Sequence, residues 1–125
     1  MFRYLLFLLA LCVSAPSIAQ NAPQIFQYVE EMPLAPYELN TYIAKHVHYP
    51  KKARRRGDEG KVLVKFVVDT DGSITDVRVT KGVSKEIDKE AVRVVSHMPK
   101  WKPGKQNGAP VRVYFMLPII FALED

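Results

Sequence analysis

The chain has 125 residues, a formal charge of +5 and a single cysteine. That length suits one ordinary domain with a core of its own, and one cysteine excludes a disulfide framework within the chain. The modest positive excess favours acidic peptides, anionic lipid or polysaccharide as neighbours.

The first residues read as a leader. Met1-Phe2-Arg3-Tyr4 carries one positive charge, Leu5 to Val13 is apolar and uncharged, and Ser17-Ile18-Ala19 sets small residues before Gln20. This is the order of a secretory signal peptide. An apolar run of about ten residues is too short to span a bilayer, which needs roughly twenty. The expected map is a signal peptide over residues 1–19, a short tether over 20–36 and a folded domain over 37–125. The same residues also fit an uncleaved inner-membrane anchor, or lipidation at Cys12, against which bulky Leu11 stands. Export places the domain in the periplasm and excludes nucleic acid as a partner.

Residues 20–36 bear prolines and show no clear periodicity, as a tether or a segment lying on the domain would. Tyr37, Leu39, Tyr42, Ile43 and Val47 predict a short amphipathic helix that Tyr49-Pro50 stops. Lys51 to Arg56 is basic and helix-compatible, and Gly57 ends it. From Gly60 to Asp69 the residues alternate, with Val62, Val64, Phe66 and Val68 on one face, which predicts a strand. Asp69-Thr70-Asp71-Gly72 is a turn, and a second strand from Ser73 to Lys81 completes a hairpin. Ile87, Ala91, Val94, Val95 and Met98 form one helical stripe, with Ser84 or Asp88 as cap and Pro99 as stop. After the loop from Lys100 to Gly108, a last strand runs from Pro110 to Ala122, with Val111, Val113, Phe115, Leu117, Ile119 and Phe121 on one face. The order helix-strand-strand-helix-strand predicts an α+β fold: a three-stranded antiparallel sheet with a helix packed on one face.

Several of these segments together resemble a known family. They are Val29-Glu30-Glu31-Met32-Pro33, Tyr49-Pro50 with the basic stretch after it, and Glu59-Gly60-Lys61-Val62. Asp71-Gly72-Ser73-Ile74 with Asp76-Val77, Ile87-Asp88-Lys89-Glu90-Ala91, and Met98-Pro99-Lys100-Trp101-Lys102-Pro103-Gly104 follow in order. Each piece is weak alone, but in this order the chain is similar to the C-terminal domain of TonB-family energy transducers, from about residue 29 to 123. The resemblance implies binding of a short extended segment, the TonB box of outer-membrane receptors, alongside the last strand. That is β-augmentation, in which main-chain hydrogen bonds supply affinity and alternate side chains supply specificity.

By that resemblance the partner-binding residues fall in two groups. Val111, Arg112, Val113, Tyr114, Phe115, Met116 and Leu117 form the usable stretch of the last strand, flanked by Pro110 and Pro118, which cannot donate to a ladder. Ala53, Arg54, Arg55 and Arg56 follow Tyr-Pro, where this sequence departs from the family in being strongly cationic. An acidic partner segment fits that cluster, and so does a solvated basic turn. A complete transducer also has a membrane-spanning helix that meets a motor and a long spacer. Here residues 20–36 reach at most roughly 60 Å fully extended, so the chain is not expected to transmit force alone. It can serve as an adaptor or competitor for receptor segments, as a partner of another transducer or of itself through strand exchange, or as a module recruited to an envelope complex. The competing reading is an envelope-binding module that places the basic cluster on peptidoglycan or anionic lipid.

Other signals carry less. His46-x-His48 lacks a third ligand nearby, and Asp69-x-Asp71 is followed by Ile74 where a calcium loop requires glycine. No catalytic set and no cofactor is expected. The leader reading is checked by mass spectrometry of the native protein: the mature chain is expected to begin at Gln20, and retention of residues 1–19 counts against cleavage.

Overall fold

The computed structural model of the chain describes residues 24–124, so the expected signal peptide and the first residues of the expected tether lie outside the described residues. In chain order the elements are β1 (Ile25–Phe26), α1 (Leu39–His46), α2 (Lys51–Arg56), β2 (Gly60–Val68), β3 (Ile74–Lys81), α3 (Lys85–Ser96), β4 (Gly104–Gln106) and β5 (Ala109–Phe121). Among the described residues no helix is long and apolar enough to cross a membrane.

Strict alternation makes β2 and β5 the frame. Val62, Val64, Phe66 and Val68 are all fully buried on one face of β2. Leu117, Ile119 and Phe121 of β5 join them in the same core. The two strands pair antiparallel without a break from Gly60↔Phe121 to Val68↔Val113. β3 pairs antiparallel with the other side of β2, so the predicted three-stranded sheet is present in the order β5-β2-β3. Two short strands extend it: β1 lies parallel to β5, and β4 pairs antiparallel with its start. The fold is α+β.

The helices cover one face. Ile87, Ala91 and Val95 bring α3 onto the sheet, Ala53 brings α2, and half-buried Tyr42 and Ile43 bring α1. Ser84 caps α3 by accepting from the Ile87 N–H at 3.4 Å, while Asp88 accepts from the Val83 N–H at 2.8 Å instead. Of the two candidate caps, the serine holds the helix and the aspartate holds the turn before it.

Trp101 closes the core. Its ring meets Phe66 edge-on at 5.4 Å and Phe115 at 4.9 Å, a geometry favoured by the ring quadrupoles. The Trp101 main-chain N–H donates to the Gly72 carbonyl at 2.9 Å, so the β2–β3 turn is tied to the loop before β4. Gly72 has φ +88, and a Cβ there would sit 2.0 Å from the Trp101 carbonyl oxygen. Only glycine tolerates both conditions.

The segment read as a tether lies on the domain, first through β1 and then, from Glu30 onward, through further hydrogen bonds. Glu31 and Lys105 exchange main-chain hydrogen bonds at 3.1 and 2.8 Å, as do Leu34 and Lys102. Glu30 accepts from the Asn107 N–H at 2.8 Å and donates its own N–H to Gln106 Oε1 at 2.9 Å. Gly104 makes room for this contact: a Cβ there would lie 2.7 Å from Val113 Cγ2 and 3.1 Å from the Glu31 carbonyl oxygen.

Two outcomes follow for stability. Gly72→Ala is expected to cost at least about 2 kcal/mol through left-handed strain and collision, read from urea denaturation. The Asp71 carboxyl is held at about 2 by hydrogen bonds from Ser73, side chain first and then backbone, with Lys100 assisting. A depressed carboxylate contributes stability above its unfolded pKa of about 4 and loses it as pH falls further. The stability difference between wild type and Asp71→Asn is therefore expected to be constant above about pH 5 and to change between about pH 4 and 2. A difference that stays flat across that window counts against the assignment.

Candidate functional site

Each residue of a strand turns its N–H and C=O to the same side, and successive residues alternate. On β2, the Leu63 carbonyl accepts from the Thr80 hydroxyl and the Val67 carbonyl from the Thr75 hydroxyl, both on β3. Odd-numbered β2 residues therefore face β3 and even-numbered ones face β5. Through the observed register, odd-numbered β5 residues from Val113 to Phe121 bond to β2. Arg112, Tyr114, Met116, Pro118 and Ile120 turn their backbone outward. Pro118 fits this assignment, because its nitrogen has no hydrogen to give and sits on the side away from the ladder.

That outward side is occupied at one end and open along the rest. β1 pairs Ile25 with Arg112 and Phe26 with Val113 there, while β4 pairs Gly104 with Val111 on the opposite side, beyond the end of β2. Phe26, paired with Val113 whose own backbone faces β2, sits between Arg112 and Tyr114 and takes the Tyr114 N–H. From the Tyr114 carbonyl to Ile120 no described strand lies against that side. The predicted stretch from Val111 to Leu117 thus divides. Val111, Arg112 and Val113 are already flanked, whereas Tyr114, Phe115, Met116 and Leu117 begin the open edge, which continues to Ile120.

Side chains along the edge fall into two sets. Outside the core, Lys65 Nζ stands 4.2 Å from the centre of the Tyr114 ring, a cation–π contact. Met116 is 45% exposed and Ile120 73% exposed, an unusual display of apolar surface for one strand. Gln27, Tyr28 and Met32 join Lys65, Tyr114 and Met116 around a shallow pocket at the start of the open stretch. At its far end a second groove runs between α1 and β5, lined by Asn40, Ile43, Ala44 and Val47 against Leu117, Pro118, Ile119 and Ile120. The other four predicted β5 residues serve structure or the occupied end, Val111 through its pairing with Gly104. Phe115 packs against Phe66 and Trp101, Val113 is buried, and Arg112 Nε lies 3.5 Å from Asp69 Oδ2.

The basic cluster separates residue by residue. Ala53 is fully buried and is the contact by which α2 rests on the core, so it offers no surface to a partner. Arg54 lies over the Tyr49 ring at 5.0 Å. Arg56 pairs with Asp58 at 2.9 Å and with Glu86, and it is the first reason the Glu86 carboxyl titrates below its usual range. Lys51, Lys52 and Arg55 point to solvent. Tyr49 also meets Phe121 edge-on at 5.6 Å, which sets the start of α2 beside the far end of β5. The histidines do local work: His46 stacks on Tyr42 at 4.0 Å, and the His48 N–H donates to Glu90 at 2.7 Å.

Sequence reasoning missed Tyr28 and Met32, the α1 side of the far groove, and Ile120. The Val29-Glu30-Glu31-Met32-Pro33 motif was the available signal for the first pair, since an ordered motif implies an ordered segment.

The family model for the C-terminal of the Gram-negative bacterial TonB protein matches residues 45–123. Protein TonB of Helicobacter pylori strain J99 is 34% identical over 92 residues, which cover 70% of this chain and 30% of that protein. Protein TonB of Pseudomonas putida is 30% identical over 114 residues, 88% of this chain and 43% of that protein. The aligned part thus spans less than half the length of these relatives. A solution NMR structure of the Helicobacter pylori TonB C-terminal domain superposes with a TM-score of 0.53 at 30% identity, covering 70% of this chain and 78% of that one.

Proposed function

Because this chain belongs to the TonB family through its C-terminal domain, we propose that it binds outer-membrane TonB-dependent receptors in the periplasm, in support of energy-dependent nutrient transport. The receptor contributes an extended box segment, which adds to the sheet alongside β5. The binding is non-covalent strand addition and needs no catalytic residue or cofactor.

One observation carries the reading: the outward backbone from the Tyr114 carbonyl through Met116 and Pro118 to Ile120 has no described partner on that side. An unpaired row of main-chain groups is a template for another strand. β1 already takes the Tyr114 N–H and Pro118 has none, so a bound segment gains N–H groups from Met116 and Ile120 and carbonyls from all four. Alternate side chains of that segment would meet the Tyr114–Met116 pocket on one face and the groove beside α1 on the other. The cations of α2 that face solvent, Lys51, Lys52 and Arg55, lie where they can attract an acidic flank of the same segment. On this reading they assist encounter, and the strand supplies the hold.

The decisive position is Met116. Proline at Val113 or Phe115 would remove a donor to β2 and damage the sheet itself, whereas Met116→Pro removes an outward donor. It is expected to keep the circular dichroism spectrum of the folded chain and to lower capture of outer-membrane receptors at least about tenfold, since a misfitting proline costs more than one hydrogen bond. Capture by wild type is expected to survive moderate salt. Undiminished capture by Met116→Pro, or capture that vanishes with salt and with loss of Lys51, Lys52 and Arg55, would transfer the function to the basic cluster and to an adaptor or envelope-binding role.

A further inference from the structure

β1 stands where a bound segment would stand. It pairs with β5 on the outward side, taking Arg112, the first outward-facing residue in line with Tyr114, Met116, Pro118 and Ile120. Because it runs parallel to β5, its direction carries it toward the open stretch. Continuing the register would set Gln27 opposite Tyr114 and Tyr28 opposite Phe115. The chain bends away there instead, and Gln27 and Tyr28 form one wall of the pocket over Tyr114 and Met116. A strand entering at Tyr114 meets these two residues.

The hold on this segment is uneven. From Glu30 to Leu34 it is fastened by paired main-chain bonds to Lys105 and Lys102 and by the exchange between Glu30, Gln106 and Asn107. From Gln24 to Val29 no side-chain hydrogen bond ties it to another described residue, and two paired residues hold it to the sheet. Tyr28 is 85% exposed. Such a piece is at the low end of local stability, with a firm hinge directly behind it at Glu30.

We propose that β1 is an internal stand-in for the partner strand, displaced when a segment pairs along Tyr114 to Ile120. Displacement frees the Arg112 backbone and the Tyr114 N–H and so lengthens the ladder available to the partner. The inference rests on the strand-addition reading above and adds its regulation. By linkage, a state that binds the partner without β1 must bind it more tightly when β1 is held away, and by the same factor. If β1 is docked about nine-tenths of the time, the apparent affinity is about tenfold below that of a chain whose β1 cannot dock. Whatever draws residues 24–28 off the sheet then raises affinity for the receptor.

The test uses the full chain with Cys12→Ser as background and synthetic peptides bearing the N-terminal segments of outer-membrane receptors as probes. Ile25→Cys with Arg112→Cys locks β1 when oxidised and frees it when reduced, so one protein serves as its own control. Phe26→Pro removes a donor from β1 and leaves β5 untouched. The expected result is about tenfold tighter binding by Phe26→Pro than by wild type, and at least about tenfold weaker binding by the oxidised than by the reduced double-cysteine chain. Equal affinities across these forms overturn the stand-in and leave strand addition in place. Absence of binding by every form overturns the receptor reading and this inference with it.

Discussion

The nine-residue ladder between β2 and β5 is the constraint from which the rest follows. A strand has only two sides for its backbone and two faces for its side chains, and the register with β2 assigns both at once. Odd-numbered residues of β5 give their backbone to β2 and, at Val113, Leu117, Ile119 and Phe121, their side chains to the interior. Even-numbered residues receive what is left: an outward backbone and a solvent-facing side chain. A shift of one residue would exchange the two sets and put Arg112, Tyr114 and Met116 into the core. The placement of Pro118 among the even residues is part of the same consistency, since only there does its missing hydrogen leave the ladder whole.

Much of this was legible in the sequence because it is written in short periods. Val62, Val64, Phe66 and Val68 declare a strand, Ile87, Ala91, Val94 and Val95 a helix, and Gly72 a turn, each through neighbours within a few residues. What the residues did not declare was long-range and local in extent. β1 and β4 are two and three residues long, too short to hold a period, and they exist because distant backbone happens to pass within bonding reach. Ala53 shows the same limit in another form. Set among five cations, it reads as part of a charged surface, yet a small apolar residue in a six-residue helix is what lets that helix rest on the core.

The direction of each backbone group is the least legible property of all. Alternating side chains reveal that a strand has two faces, but nothing in the string says which of its two sides is taken by a neighbour. The site was therefore readable as a strand and not as an edge. Its charge is similarly redistributed by the fold: Arg54 is spent on an aromatic ring and Arg56 on two carboxylates, so the cationic run in the sequence becomes a smaller group of solvent-facing ends. Exposed ion pairs of that kind add little to stability, and their place in the molecule matters more than their number.

The opposite margin of the sheet has its own consequence. β3 departs from regular register with β2 at two places, and Asp76 adopts φ +52 within it. Irregularities of this kind twist a strand and spoil it as a template. The sheet therefore has one open, regular side and one irregular side. If two copies met through β5, the product would show only irregular margins outward and growth would stop at a closed pair. Polymerisation into filaments requires a second regular margin, and β3 withholds it.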